Sequence, residues 1–199
     1  METEQKPFLI GERVYLRPLE RADASLLAQW LRDPQVTHML GEVFIPADLQ
    51  AEVDVADMIE RLYQEGHDFL LGIVLQSPDE TPGTHRLIGV TEIHHLDLHH
   101  RQASFGIVIG DMREWGKRYG AEVTTLLCDY AFTELEMNRV WLHVDEHNDR
   151  AIRVYEKLGF QREGLLRQDR YSEAGYLNTV VMAVLSEDWW QLREYGVRK

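Results

Sequence analysis

The chain has a single cysteine in 199 residues, Cys128, so no internal disulfide can hold the fold and a disulfide-stapled secreted scaffold is excluded. It lacks an N-terminal apolar run of the signal-peptide kind and any apolar segment long enough to span a bilayer. Residence in the cytoplasm, with no membrane partner, is the expectation. Basic residues are also short, since 21 Lys and Arg against 34 Asp and Glu leave a formal net charge of -13. A nucleic-acid binder draws its affinity from a basic surface, so no nucleic-acid partner is expected. An acidic surface attracts cations, which favours a basic small molecule or a basic protein partner, although acidity also serves solubility alone. There is no internal repeat, low-complexity tract or linker, and the length suffices for one continuous core.

What is present is a regular alternation of patterns. Residues 1–10 read as a loose terminus and residues 14–19 as a short strand that proline ends. Asp23 then stands where a helix cap belongs, before a stripe of Leu26, Leu27, Trp30 and Leu31 that Asp33 and Pro34 break. After a turn at 41–46, Val55, Met58, Ile59 and Leu62 share one face of a longer helix that stops near Gly66. Strands at 69–75, 87–93 and 103–109, the first two separated by a polar loop at 76–85, suggest an antiparallel meander. From Ile107 the order becomes strand, helix to about Phe132, strand at 140–144 and helix at 148–158, which implies parallel neighbours joined by crossovers. Two more strands, 160–169 and 176–185, are joined near 173–175. Ser186 then caps a closing helix with Trp189, Trp190 and Leu192, in a helical extension over 186–199. The fold class expected is mixed α/β in a single domain over residues 1–199.

The chemistry centres on residues 107–131, a strand, a loop holding Gly116 and Gly120, and a helix with Val123, Leu126, Leu127, Tyr130 and Ala131 on one face. A loop that feeds a helix N-terminus presents unpaired amides at the positive end of the helix dipole, where an anion binds well. No Gly-Lys-Ser/Thr closes the loop and the glycines are misplaced for a dinucleotide fingerprint. These residues alone leave two readings, an anion cradle or a turn that uses glycine for steric reasons.

Residues 148–160, Asn-Asp-Arg-Ala-Ile-Arg-Val-Tyr-Glu-Lys-Leu-Gly-Phe, closely resemble the second signature of the GNAT acyltransferase superfamily. In that light 115–120 is similar to the first signature, Gln/Arg-x-x-Gly-x-Gly/Ala, with Trp115 at its first place, Arg118 at its fourth and Gly120 at its last. Residues 13–19 and the C-terminal strand pair are similar to the RimJ/RimL-like branch, which includes ribosomal-protein N-terminal and spermidine/spermine acetyltransferases. The resemblance implies a twisted, mostly antiparallel sheet with a central splayed parallel pair, 103–109 and 140–144, that receives acetyl-CoA as co-substrate. It implies that backbone groups of Ile107, Val108 and Ile109 pair with the pantetheine amides. Amides of Trp115, Gly116, Lys117, Arg118, Tyr119, Gly120 and Ala121 are then expected to hold the pyrophosphate, Asn148 the pantetheine arm, and Arg150 or Lys157 to reach the phosphates.

Tyr155 becomes the expected general acid toward the departing thiolate, since a free phenol and a free thiol titrate near 10 and 8.5. Without the motif it is one apolar-face residue among Ala151, Ile152 and Leu158. An ammonium cannot attack a carbonyl, so a base is needed. Glu92 is the candidate, directly or through water, with His94, His143 and Asp145 in reserve. Arg118 stands where the superfamily usually has glycine, and its side chain is expected to face solvent and leave its amide usable. His95, Asp97 and His99 share a face if the strand extends that far, yet a polar loop and no metal are expected. Cys128 is expected off the apolar stripe, without a nucleophilic role. The function implied is transfer of an acetyl group to a primary amine, a polyamine or a basic protein N-terminus, by direct attack in a ternary complex. The alternative is a catalytically silent acetyl-CoA-binding sensor or interaction module. A homodimer through the last strands is the expected assembly.

Overall fold

The computed structural model describes residues 6–37, 52–64, 69–76, 86–172 and 175–196. The turn expected at 41–46, the stop near Gly66, loop residues 77–85 and the joint at 173–174 lie outside them. Among the described residues, eight strands form one sheet in the order β1-β2-β3-β4-β5-β6-β8-β7. The chain divides into two compact units, Met1–Glu92 with Ile107–Leu126 and Ile93–Gly106 with Leu127–Lys199.

The first unit holds β1 (Leu9–Ile10), β2 (Val14–Pro18), β3 (Leu70–Leu75) and the start of β4 (Leu87–Asp97). β3 reads Leu-Leu-Gly-Ile-Val-Leu because both its faces are covered, and it ladders antiparallel with β2, Val14 opposite Leu75 and Pro18 opposite Leu71. Helices α1 (Ala24–Leu31), α2 (Pro34–Thr37) and α3 (Glu52–Gln64) cover this part. Their apolar faces supply Leu27, Trp30, Val55, Met58 and Ile59 to one core cluster with Tyr15, Val74 and Leu87. Each such side chain contributes about 1.5–3 kcal/mol relative to exposure. Pro34 opens α2, where its missing N–H leaves nothing unpaired.

Asp23 does not cap α1 with its side chain. Its carboxylate is taken by Arg17, whose guanidinium donates bonds of 2.7 and 2.8 Å, and by the Glu20 amide at 2.8 Å. Arg17 and Asp23 are both buried, and a buried cation binds a carboxylate more strongly than an exposed helix amide does.

The second unit holds the end of β4, the start of β5 (Gln102–Ile109), β6 (Arg139–Asp145), β7 (Gln161–Ser172) and β8 (Gly175–Leu185), with α5 (Asp149–Lys157) and α6 (Ser186–Gly196). Helix α4 (Tyr119–Thr133) contributes its later half. β5 and β6 are parallel, and their ladder covers only Gln102 to Ser104 of β5 against Arg139 to Trp141 of β6. Val140, Leu142 and Val144 are buried on one face of β6, while Trp141 and His143 alternate with them and keep some exposure. The expectation of parallel neighbours holds for β5 and β6 and fails for the next step. β8 inserts antiparallel between β6 and β7, so β7 is an edge strand. Composition accounts for the exchange, since β8 carries buried Val180, Met182, Ala183 and Val184 whereas residues 161–169 of β7 are all exposed. Helix α6 is fastened to α4 through Asp129, which accepts bonds of 2.8 Å from both the Trp189 indole and Arg193.

Candidate active site

In the first unit, β5 gives way at Gly110 to a turn built by short-range polar contacts. Asp111 accepts the Arg113 amide at 3.1 Å and the Arg113 guanidinium at 2.9 and 2.8 Å, and it opens a one-turn 3-10 helix, Met112–Glu114. The bonds from Arg113 hold the Asp111 carboxyl below the usual carboxylate range, against the opposing effect of burial. The Trp115 indole donates to the Ile109 carbonyl at 2.7 Å, so one of the three backbone positions expected to serve pantetheine already has a partner. Two residues then adopt left-handed backbone, Gly116 at φ 87° and Arg118 at φ 68°. Helix α4 follows, with the Ala121 and Glu122 amides donating to the Arg118 carbonyl at 3.1 and 3.3 Å. The Tyr119 and Gly120 amides, first in the helix, have no acceptor among the described residues. Two donors thus project at the positive end of a 15-residue helix, an arrangement that suits a diphosphate.

Arg118 explains itself through its backbone. Its side chain is exposed, in agreement with expectation, but the feature glycine supplies at that place is the positive φ more than room for close approach. An added Cβ at Gly120 meets no protein atom within 4 Å, so nothing within the fold itself requires glycine there.

Behind the loop lies Glu114, only 4% exposed. Its carboxylate accepts the Lys117 ammonium at 2.8 Å and is bonded to Arg86 on its other oxygen. Burial alone raises this carboxyl, yet the bonds and charges of Lys117 and Arg86 outweigh it and hold the group below the usual range. Glu122, in the first turn of α4, accepts the Arg13 amide and side chain at 2.7 and 2.9 Å, and Arg13 in turn donates to the Lys117 carbonyl at 2.9 Å. Glu92 sits on β4 opposite Leu70 of β3 and is half-buried.

In the second unit, Asn148 caps α5: its side-chain oxygen accepts the Ala151 amide at 3.0 Å, which leaves its NH2 group to donate elsewhere. Arg150 and Lys157 are exposed on the same helix. Tyr155 packs edge-on to Phe105 and tilted to Phe160, centroids 6.3 and 5.7 Å apart. Its hydroxyl has no hydrogen-bond partner among the described residues. Burial, with a smaller contribution from Cys128, pushes this phenol up to about 12.

Asp145 is buried in an ion pair with Arg170 at 2.6 Å and accepts the His147 amide at 2.8 Å. β4 extends through Asp97, so His94 and His95 lie on a strand and not in a loop. His95 has φ 49° and stacks on Trp141 with centroids 5.5 Å apart, while His99 falls in the following turn. The shared face of His95, Asp97 and His99 therefore does not form, and among the described residues no group of three His, Cys, Asp or Glu is arranged for a metal. His143 lies edge-on to Trp141, centroids 5.0 Å apart. Cys128 is not off the stripe but in it: Val123, Thr124, Leu127, Cys128, Ala131 and Phe132 make the buried face of α4. Burial pushes the Cys128 thiol well above its usual value, which removes it as a nucleophile.

The profile of the acetyltransferase (GNAT) domain matches residues 13–161. The chain belongs to the GNAT acetyltransferase family. It is 30% identical over 181 residues to an uncharacterised N-acetyltransferase, p20, of Bacillus licheniformis, covering 91% of this chain and 97% of that one. It is 30% identical over 186 residues to the spermidine N(1)-acetyltransferase of Escherichia coli K12, covering 88% of each. A crystal structure of a probable acetyltransferase superposes with a TM-score of 0.75 at 27% identity, covering 89% of this chain and 96% of that one. This GNAT protein is an acetyl-CoA-dependent N-acetyltransferase.

Arg13, Arg86, Asp111 and Glu114 carry no role in the sequence reading of this acetyltransferase. The i,i+3 spacing of Glu114 and Lys117 is a local signal that points to one of them. Arg13 and Arg86 arrive from distant parts of the chain, and no local pattern announces them.

Proposed function

We propose that this acetyltransferase moves the acetyl group of acetyl-CoA to a primary amine of a polyamine or a basic protein N-terminus, by direct attack in a ternary complex. The observation that carries the amine class is the similarity to a spermidine acetyltransferase over 88% of both chains, and the net charge of -13 favours a cationic acceptor. The amine loses a proton to Glu92, directly or through water, and its nitrogen attacks the thioester carbonyl carbon. The carbon–sulfur bond breaks, the acetyl group stays on nitrogen and the electron pair leaves with sulfur. With a phenol near 12, Tyr155 serves that sulfur by donating a hydrogen bond as charge develops. The ammonium gives up two protons on its way to the amide, the first to Glu92 before attack and the second as the carbon–sulfur bond breaks; one reaches the thiolate through solvent to give the CoA thiol and the other leaves to bulk water. In this reading the amides of 115–121 hold the diphosphate, Ile107, Val108 and Asn148 the pantetheine arm, and Arg150 and Lys157 add positive charge for the phosphates.

A single catalytic domain over 1–199, cytoplasmic residence, and a homodimer through the last strands belong to the same proposal; the exposed edge strand β7 supports the last. The test is release of free CoA thiol from acetyl-CoA across spermidine, spermine and ribosomal-type N-terminal peptides. Release with polyamines or with the peptides is the expected result. Acetyl-CoA binding without release on any amine overturns the transfer reading in favour of a silent module.

A further inference from the structure

Lys117 stands between the two left-handed residues Gly116 and Arg118, and it is held at both ends. Buried Glu114 takes its ammonium at 2.8 Å, and the Arg13 guanidinium takes its backbone carbonyl at 2.9 Å. Neither partner is free to drift. Glu114 is fixed by Arg86 on its other oxygen. Arg13 is fixed by Glu122 at 2.9 Å and lies 4.8 Å above the Tyr119 ring, so it spans from the loop to the first turn of α4. A left-handed non-glycine residue is disfavoured by about 1 kcal/mol or more and persists only where its surroundings dictate it. Here the surroundings that dictate it are these two side chains. The turn they impose sets the direction in which the Tyr119 and Gly120 amides project.

We propose that Arg13 and Glu114 are positioning residues for acetyl-CoA, a two-sided clamp on Lys117 that presets the turn from which the diphosphate is bound. The proposal rests on the reading of 115–121 as the diphosphate cradle. Its consequence is confined to donors that carry a diphosphate. S-acetylpantetheine has the thioester and the pantetheine arm but no nucleotide, so the clamp has nothing to act on.

The test compares the two donors at saturating amine, with the acceptor found in the panel above, for the parent, Arg13→Lys and Glu114→Gln. Lysine keeps the charge of Arg13 but cannot bridge Glu122 and the Lys117 carbonyl at once, and glutamine keeps the shape of Glu114 without its charge. In each variant KM for acetyl-CoA should rise about tenfold with kcat within about twofold, and kcat/KM for S-acetylpantetheine should stay within about twofold of the parent. A fall that is equal for both donors overturns the proposal, because it marks a general structural loss. A KM for acetyl-CoA that does not move overturns it as well. Should Arg13→Lys fail to fold, Arg13→Gln replaces it, and should Glu114→Gln fail to fold, Glu114→Asp replaces it, under the same criteria. A parent enzyme that uses both donors with equal kcat/KM overturns the cradle reading itself, and the clamp falls with it.

Discussion

Tyr155→Phe separates a catalytic hydroxyl from a structural one. The substitution removes one oxygen and keeps the ring, so the contacts to Phe105 and Phe160 remain. Because the hydroxyl has no protein partner among the described residues, its loss leaves no orphaned group behind, and stability should hold, with Tm within about 2 °C of the parent. Activity should not hold. Deleting one donor aimed at developing charge removes about 2.7 kcal/mol of transition-state stabilisation, or about 10²-fold in kcat. The pH profile adds an independent check. A phenol held up at about 12 is only about 3% ionised at pH 10.5, whereas one at its ordinary value of 10 is about three quarters ionised there. Tyr155 should therefore cause no alkaline fall in kcat up to pH 10.5. The linked effect on stability has the matching sign: between pH 10 and 12 the unfolded chain has lost a proton the native chain retains, so stability falls with rising pH in that window. The assay is thiol release at saturating donor and acceptor, from pH 6 to 10.5, beside a thermal melt of each protein. A phenylalanine variant with kcat within about threefold of the parent, or one whose lost activity follows a lost fold, refutes the role.

Other expectations follow from the same geometry. Arg118→Gly relieves the positive φ by about 1 kcal/mol but adds a similar entropy to the unfolded chain, so denaturant melts should show a change within about 0.5 kcal/mol. Arg118→Val, with a branched Cβ at φ 68°, should instead lose about 1–2 kcal/mol in the same melts. A Cβ at Gly110 meets the Trp30 ring at 2.1 Å, so Gly110→Ala should lower stability by about 1–3 kcal/mol. Cys128, fully buried with a raised thiol, should resist maleimide in the native protein and react within minutes in guanidinium.

The elements of the fold were legible where periodicity was strong. The stripes of α1 and α3 and the alternation of β6 follow from local sequence, because each reports one covered face. Three features were not legible. Asp23 has the look of a cap, and only the buried Arg17 diverts it. The place of β8 between β6 and β7 is settled by which of two adjacent strands is more apolar, a comparison that no single strand displays. Cys128 falls on the covered face of α4 because that face includes Thr124 and Phe132 and leaves Leu126 and Tyr130 only partly covered. For the candidate site residues, the two signatures point by resemblance to Asn148, Tyr155 and the loop at 115–120, whereas no local pattern points to Arg13 or Arg86. The departure at Arg118 was visible in the sequence too; that the position demands left-handed backbone was not.

The position of β8 also orders events during synthesis. β6 is complete at Asp145 and β7 at Ser172, yet the strand that pairs with both begins only at Gly175. Until it emerges, β6 carries an unpaired apolar edge and β7 has no ladder to join. Growth of this half of the sheet is thus completed by its last strand, and a chain that stops short of Leu185 leaves both neighbours open to pairing with other molecules.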